Sequence, residues 1–109
     1  MAQELTVEIY RLTEPFPRSE LWGLTGQMRR AAVSMAANIA EGASRGTLKE
    51  LRQSLLICRG SLAELESYLG LTLKLGYTQP DQLHRIRTRC RGLENGLNAF
   101  LASLKRRGA

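Results

Sequence analysis

Apolar residues recur at intervals of three and four along almost the whole chain, and no run of strict apolar and polar alternation persists. Intervals of three and four gather side chains on one side of an α-helix, whereas alternation is typical of a β-strand. Leucine and alanine, which both favour helix, supply most of the apolar positions. We therefore predict an all-α fold in a single domain over residues 1–109.

Prolines and glycines divide this pattern into four segments. Pro15 and Pro17 end the first one, because proline lacks a backbone donor and restricts the residue before it. Gly42 and Gly76 follow the second and third, where a residue of left-handed conformation often ends a helix. The predicted helices cover residues 3–13, 19–42, 47–75 and 79–106.

Capping residues mark where three of these helices begin. Ser19 is a candidate N-cap of the second helix. Thr47 and Glu50 form a capping box for the third, in which the threonine hydroxyl accepts the amide three residues on. Pro80 and Asp81 suit the first turn of the fourth helix, where proline is tolerated and a carboxylate meets the positive end of the helix dipole.

The third and fourth helices carry apolar seams with coiled-coil spacing. Short connections make sequence neighbours antiparallel, so we predict an up-down four-helix bundle. Cys58 and Cys90 belong to these seams and are expected to be free core thiols, with a disulfide between them as the alternative. The third-helix seam is Leu48, Leu51, Leu55, Cys58, Leu62, Leu65 and Leu69, and the fourth-helix seam is Leu83, Ile86, Cys90, Leu93, Leu97, Phe100 and Leu104.

The second helix is apolar around most of its circumference. Its core face runs from Leu21 through Met28 to Ile39, but apolar residues continue well past that face. A helix of this kind requires burial on two sides, so we predict a homo-oligomer; the alternative is that surface alanines only favour helix formation. The predicted interface consists of Trp22, Val33, Ala37, Ala40, Leu56 and Ile57.

Apart from Arg29, the polar residues of the second helix are gathered in one narrow strip. The strip consists of Gln27, Arg30, Ser34, Asn38 and Glu41, and we expect the last four to have structural roles. Half-buried polar groups need hydrogen-bond partners, since an unsatisfied one costs about 1–3 kcal/mol. We expect Glu41 to pair with an arginine of a neighbouring helix or chain.

Basic residues exceed acidic ones by six, 16 to 10, which favours a polyanionic partner. Residues 79–109 alone hold seven basic and two acidic residues. Neutralising phosphates with such side chains gives affinity without sequence preference, whereas the few aromatics provide no platform for base stacking. The predicted nucleic-acid-binding residues are Arg45, Lys49, Arg52, Arg59, Arg85, Arg87, Arg89, Arg91, Lys105, Arg106 and Arg107.

We predict no enzymatic activity, no metal and no cofactor. The one histidine, His84, stands beside Arg85 without cysteine or histidine partners at metal-ligand spacing. Glu64 and Glu66 are two residues apart on a helix and do not face each other. The chain shows neither a signal peptide nor a membrane-spanning run, so we expect a cytoplasmic protein.

Two stretches resemble a known family of small four-helix bundles. They are FPRSELWGLTGQMRRAAVSMAANIAEGASRG and LLICRGSLAELESYLGLTLKLGY, and the similarity extends over about residues 5–100. The family was first known from open reading frames in intervening sequences of bacterial large-subunit ribosomal RNA genes. It also includes the accessory variability determinant of diversity-generating retroelements.

The resemblance implies a ring-like homopentamer with a basic surface. It further implies a non-catalytic accessory protein that binds RNA or DNA non-specifically and acts with a reverse transcriptase. The alternative function is a protein-interaction scaffold ring of unknown process, as encoded in the ribosomal RNA intervening sequences.

Overall fold

A computed structural model describes residues 1–109 and contains four α-helices and no β-strand. The all-α prediction is therefore confirmed. Short connections turn the chain back after each long helix, so successive helices run antiparallel in a bundle of 46 × 24 × 18 Å. The elements are α1 (Ala2–Thr13), a 3₁₀ turn (Arg18–Glu20), α2 (Leu24–Ala43), α3 (Leu48–Lys74) and α4 (Pro80–Arg106).

Each helix packs against two neighbours. α1 and α3 both lie against α2 and α4, and the contact between α2 and α3 is the most extensive. α2 and α4 therefore occupy opposite corners of the bundle. Between them lie α1 on one side and α3 on the other, although α1 is less than half as long as α4.

The predicted seams of α3 and α4 pack in the core with two exceptions, and residues of α1 and α2 complete that core. Leu62, Leu65, Leu69 and both cysteines are fully buried, and the cysteines are free thiols. Leu48 is 39% exposed because it is the first residue of α3, outside the packed length of the bundle. Phe100 is 48% exposed, and the adjacent Leu101 is buried in its place.

The second helix begins five residues later than predicted, at Leu24. Ser19 lies inside the 3₁₀ turn and does not cap α2. Instead, the Glu20 carboxylate accepts a hydrogen bond from the Leu24 amide (3.2 Å) and another from the Tyr77 hydroxyl (2.9 Å). This corner therefore ties the start of α2 to the loop before α4, and Leu21 is left 47% exposed.

Gly42 does not end α2 in a left-handed conformation, as the sequence predicted. It is a buried helical residue, and only Gly76 and Gly108 have positive φ angles. A Cβ added at Gly42 would lie 3.0 Å from Leu51 Cδ1 and 3.1 Å from Ser54 Cβ. Gly42 is therefore needed for the close approach of α2 to α3. The Thr47 cap of α3 is confirmed, since its hydroxyl accepts the Glu50 amide at 3.1 Å.

The polar strip of α2 makes local hydrogen bonds. The Asn38 amide donates to the Ser34 carbonyl oxygen (2.9 Å), and the Ser61 hydroxyl donates to the Ser34 hydroxyl (3.0 Å) across the α2–α3 interface. Glu41 pairs with Arg45 in the turn that follows its own helix. Arg30 is exposed and has no ion-pair partner.

Arg29 joins α2 to the end of α1. Its Nε donates to the Thr13 hydroxyl at 2.9 Å, and its guanidinium lies 4.7 Å from the centre of the Tyr10 ring. We expect Arg29→Met to lower the free energy of unfolding by about 1 kcal/mol, because the hydrogen bonds to the Thr13 hydroxyl and the Tyr10 carbonyl oxygen and one cation–π contact are lost. Urea denaturation measures this. The matched control is Arg30→Met, which we expect to change nothing; equal losses in both variants would contradict the role of Arg29.

Candidate nucleic-acid interface

The strongest candidate surface is the outer boundary between α3 and α4. Arg59 Nη1 donates to Asn98 Oδ1 at 3.0 Å, which fixes the register of the two antiparallel helices. Two helical turns further along each helix, the same register sets Arg52 opposite Lys105. We call Arg52, Arg59 and Lys105 the basic seam. All three side chains are exposed, and none lies within 4 Å of a carboxylate.

Toward the C-terminal end of α3, this boundary carries both basic and acidic side chains. Arg87 extends over Gly70 of α3, and a Cβ built there would lie 3.2 Å from Arg87 Nη2. Partial burial and the nearby Glu94 carboxylate raise the pKa of Glu66, although Arg87 and Arg91 oppose that shift. The two arginines therefore face carboxylates here, unlike the residues of the basic seam.

Glu66 gives the protein a predictable pH dependence. A carboxyl group whose pKa is raised by folding destabilises the folded state when it is ionised, and the penalty disappears as pH falls through that raised pKa toward 4.5. We expect Glu66→Gln to raise the melting temperature at pH 7, and the gain to vanish near pH 4. Glu64→Gln, on the exposed side of α3, is the control. A gain that is independent of pH would contradict this explanation.

A second basic surface lies on the opposite flank of α4, against α1. Arg85 and Arg11 line a cleft of about 260 Å³ together with Glu8. Arg89 Nε lies 3.1 Å from Glu8 Oε2, an ion pair that is not aligned as a hydrogen bond. One carboxylate thus offsets part of the charge on this flank.

The other predicted binding residues lie apart from these surfaces or at their edges. Arg45 is not on α3 but in the turn before it, where it pairs with Glu41 and, at 3.2 Å, with Glu50. Lys49 is exposed in the first turn of α3, one turn before Arg52. Arg106 and Arg107 are exposed at the end of α4. The eleven residues therefore do not form one continuous surface on the protomer.

An apolar trough lies between α1 and α2. Val33, Ala37 and Ala40 line it, together with Val7 of α1. Val33 and Val7 are 46% and 48% exposed. Of the other residues predicted at an interface, Ile57 is 46% exposed and Leu56 is half-buried. Trp22 is 89% exposed at the corner before α2.

The sequence profile of the 23S rRNA-intervening sequence protein family matches residues 1–99.

The chain belongs to this family.

A solved structure supports the same fold for this chain. It is that of a protein with unknown function from the S23 ribosomal protein family of Bacteroides thetaiotaomicron. The two share 20% sequence identity and superpose with a TM-score of 0.82, over 92% of this chain and 94% of the other. At this identity the similarity concerns the fold alone. No curated protein matches the chain.

The chain holds no cluster of three or more histidine, cysteine, aspartate or glutamate side chains that could bind a metal ion. Burial raises the pKa of Cys58 to about 11 and that of Cys90 to about 12, so neither thiol is a ready nucleophile. His84 is exposed on α4. None of the four helices has an uncharged apolar stretch long enough to cross a bilayer.

Sequence reasoning missed two residues that contribute to the basic surfaces. Arg11 lies on α1, away from the basic helix in sequence, and meets Arg85 only because α1 packs against α4. Asn98 is uncharged, but it holds Arg59 in place. The sequence did contain a signal for this pairing of α3 with α4. Asn98 and Lys105 are seven residues apart, and so are Arg52 and Arg59.

Proposed function

We propose that this chain is a non-catalytic, cytoplasmic accessory protein that binds nucleic acid without sequence preference. The basic seam carries this proposal. Arg52, Arg59 and Lys105 are exposed along one helix boundary and no carboxylate neutralises them. Arginine and lysine in this arrangement bind phosphates and release condensed counterions.

Salt dependence distinguishes this kind of binding. Three phosphate contacts per protomer give a slope of about −3 for the logarithm of affinity against that of salt concentration. Shape and charge, rather than base contacts, set the affinity, because no aromatic side chain lies among the three basic residues. We expect RNA and DNA duplexes of unrelated sequence to bind alike.

Self-association is the second part of the proposal. The trough between α1 and α2 leaves Val7 and Val33 about half exposed, which favours burial against another copy of the chain. The resemblance points to a ring-like homopentamer. Repetition of the basic seam around a ring raises affinity for one nucleic-acid strand, since later contacts become intramolecular.

A titration of labelled duplex RNA or DNA tests the nucleic-acid proposal. We expect binding at about 50 mM salt and a loss of affinity of about 40-fold per protomer engaged at about 200 mM. No binding at low salt, or binding that salt does not weaken, would overturn it. Light scattering coupled to size exclusion tests self-association separately.

From the family resemblance, we propose a reverse transcriptase as the protein partner. A reverse transcriptase gene and a repeat pair beside this gene would support that partner, whereas a position inside a ribosomal RNA operon would argue against it. The exposed apolar trough also supports a second function, a scaffold ring that binds proteins only. A stable oligomer with no affinity for nucleic acid would favour that scaffold.

A further inference from the structure

A narrow cleft opens at the corner where α1 ends and α2 begins. Its volume is about 200 Å³, and we call it the corner cleft. The buried residues Thr13, Phe16 and Thr25 form its floor, and Arg29 is half-buried between floor and rim. The exposed rim consists of Glu14, Pro17, Arg18 and Leu21. The corner cleft thus combines buried hydroxyl groups with charged side chains at its opening.

Contacts around the corner cleft hold its walls in place. The ring centroids of Phe16 and Tyr77 are 5.1 Å apart. The Tyr77 hydroxyl donates to the Glu20 carboxylate at 2.9 Å, and that carboxylate also accepts the Leu24 amide at 3.2 Å. Pro17 restricts the backbone of the turn between these residues. The cleft is therefore preformed, and a ligand does not have to order the corner.

One hydroxyl on the floor of the corner cleft has no hydrogen-bond partner. Thr25 is 3% exposed, and its buried Oγ1 neither donates nor accepts a hydrogen bond. The Thr13 hydroxyl, by contrast, donates to the Ile9 carbonyl oxygen at 2.8 Å and accepts from Arg29 Nε at 2.9 Å. An unpaired buried hydroxyl is rare because it destabilises the folded state. A ligand in the cleft can satisfy Thr25 after a change of its χ1 rotamer.

The backbone of the same residue provides a second free donor. Thr25 lies in the first turn of the 20-residue helix α2, and no group of the chain accepts a hydrogen bond from its amide. The preceding amide, that of Leu24, already donates to Glu20. Free amides at the start of a helix attract anions, because the helix dipole is positive there. The free amide and the free hydroxyl of Thr25 together indicate an anionic ligand.

Two arginines at the corner cleft are not neutralised by a carboxylate. Neither Arg18 nor Arg29 lies within 4 Å of a carboxylate oxygen. Hydrogen bonds from Nε and Nη2 to the Thr13 hydroxyl and the Tyr10 carbonyl oxygen fix the position of Arg29. Glu14 is the one acidic residue among those that line the cleft, so two arginines against one glutamate leave a net charge of +1.

We propose that the corner cleft binds a small phosphate monoester. Such a group is mostly a dianion at neutral pH, which matches the two arginines, and its oxygens accept hydrogen bonds from guanidinium groups and from Thr25. The volume admits a phosphate and a small organic group beside Leu21 and Pro17, whereas a nucleic-acid duplex is too large. The inference does not depend on the nucleic-acid proposal, because no residue of the basic seam lines the corner cleft.

Titrations of the full chain with inorganic phosphate, phenyl phosphate and dimethyl phosphate test the proposal. Amide chemical shifts in nuclear magnetic resonance spectra measure each affinity, and we expect the largest changes at Thr25 and the adjacent residues of α2. Phenyl phosphate should bind at least as tightly as inorganic phosphate. It should bind at least about tenfold more tightly than dimethyl phosphate, a diester that carries a single negative charge.

Substitutions at the rim test the role of its charges. We expect Arg18→Gln to weaken the binding of phenyl phosphate at least about tenfold, because a charged hydrogen-bond donor is lost. The matched control is Arg30→Gln, which also removes an exposed arginine without a carboxylate partner but does not line the cleft. We expect its affinity to be unchanged. Glu14→Gln should strengthen binding about twofold or more, since a repulsive charge is removed.

Thr25→Val separates binding from structure. We expect this variant to bind phenyl phosphate at least about fivefold more weakly, because the ligand loses a hydroxyl partner. Its melting temperature without phosphate should rise, because an unpaired buried hydroxyl is replaced by a methyl group. A threonine with a purely structural role would show the reverse, a lower melting temperature and an unchanged affinity.

Five outcomes would overturn the proposal. The first is that neither inorganic phosphate nor phenyl phosphate binds, and the second is equal affinity for phenyl phosphate and dimethyl phosphate. The third is equal loss of affinity in Arg18→Gln and Arg30→Gln. The fourth is a lower melting temperature of Thr25→Val with unchanged affinity. The fifth is binding of inorganic phosphate without binding of phenyl phosphate, which would assign the corner cleft to the free ion.

Discussion

We expect that reversing the charge of the three residues of the basic seam abolishes nucleic-acid binding. In Arg52→Glu/Arg59→Glu/Lys105→Glu, three exposed cations become anions along the boundary between α3 and α4. Affinity for duplex RNA or DNA at low salt should fall at least about 100-fold, since phosphate attraction becomes repulsion. An electrophoretic mobility shift or anisotropy titration measures the loss.

A control with the same change in charge separates position from net charge. Arg18→Glu/Arg30→Glu/Lys74→Glu also replaces three exposed cations, and both triple variants reduce the net charge from +6 to zero. We expect the affinity of the control to stay within about tenfold of that of the wild-type chain, because only its overall charge has changed. Equal losses in the two variants would show that the seam has no special role.

Dissociation of the proposed oligomer is the second large effect that we expect. Ala37→Glu places a carboxylate in the apolar trough between α1 and α2, where it would be buried without a partner against another copy. Light scattering should report a fall to the protomer mass of 12.2 kDa. The fold should survive, because Ala37 is exposed in the protomer.

Ala102→Glu provides the matched control, since Ala102 is an exposed alanine on the outer side of α4. We expect this variant to keep the mass of the wild-type assembly. A wild-type protein that is folded and already has a mass near 12.2 kDa would refute self-association through the trough.

The sequence predicted the helices well because their signals are local. Thr47 caps α3 through a residue three positions away, and the leucines of the α3 seam are related by one helical turn. The prediction of where α2 starts was wrong because its signal is not local. The first amide of α2 donates to the Glu20 carboxylate, whose second partner is Tyr77, a residue 57 positions further along the chain.

The candidate site could not be predicted fully from the sequence, because it depends on contacts between helices. A helical wheel gathers Lys49, Arg52 and Arg59, but it contains no information on which residue of α4 lies opposite them. The hydrogen bond from Arg59 to Asn98 supplies that register. Arg45 lies in the turn before α3, where it makes both of its ion pairs, so a helical wheel does not describe its position.

The two core cysteines make the protein report on its own opening. Cys58 and Cys90 have no solvent-exposed surface, and burial lowers the thiolate fraction of both. A thiol-specific label can reach them only when the helices separate, so its rate of incorporation tracks transient unfolding of the bundle. The labelling rate of the native chain, without an added reporter group, can thus reveal how strongly a bound partner holds the four helices together.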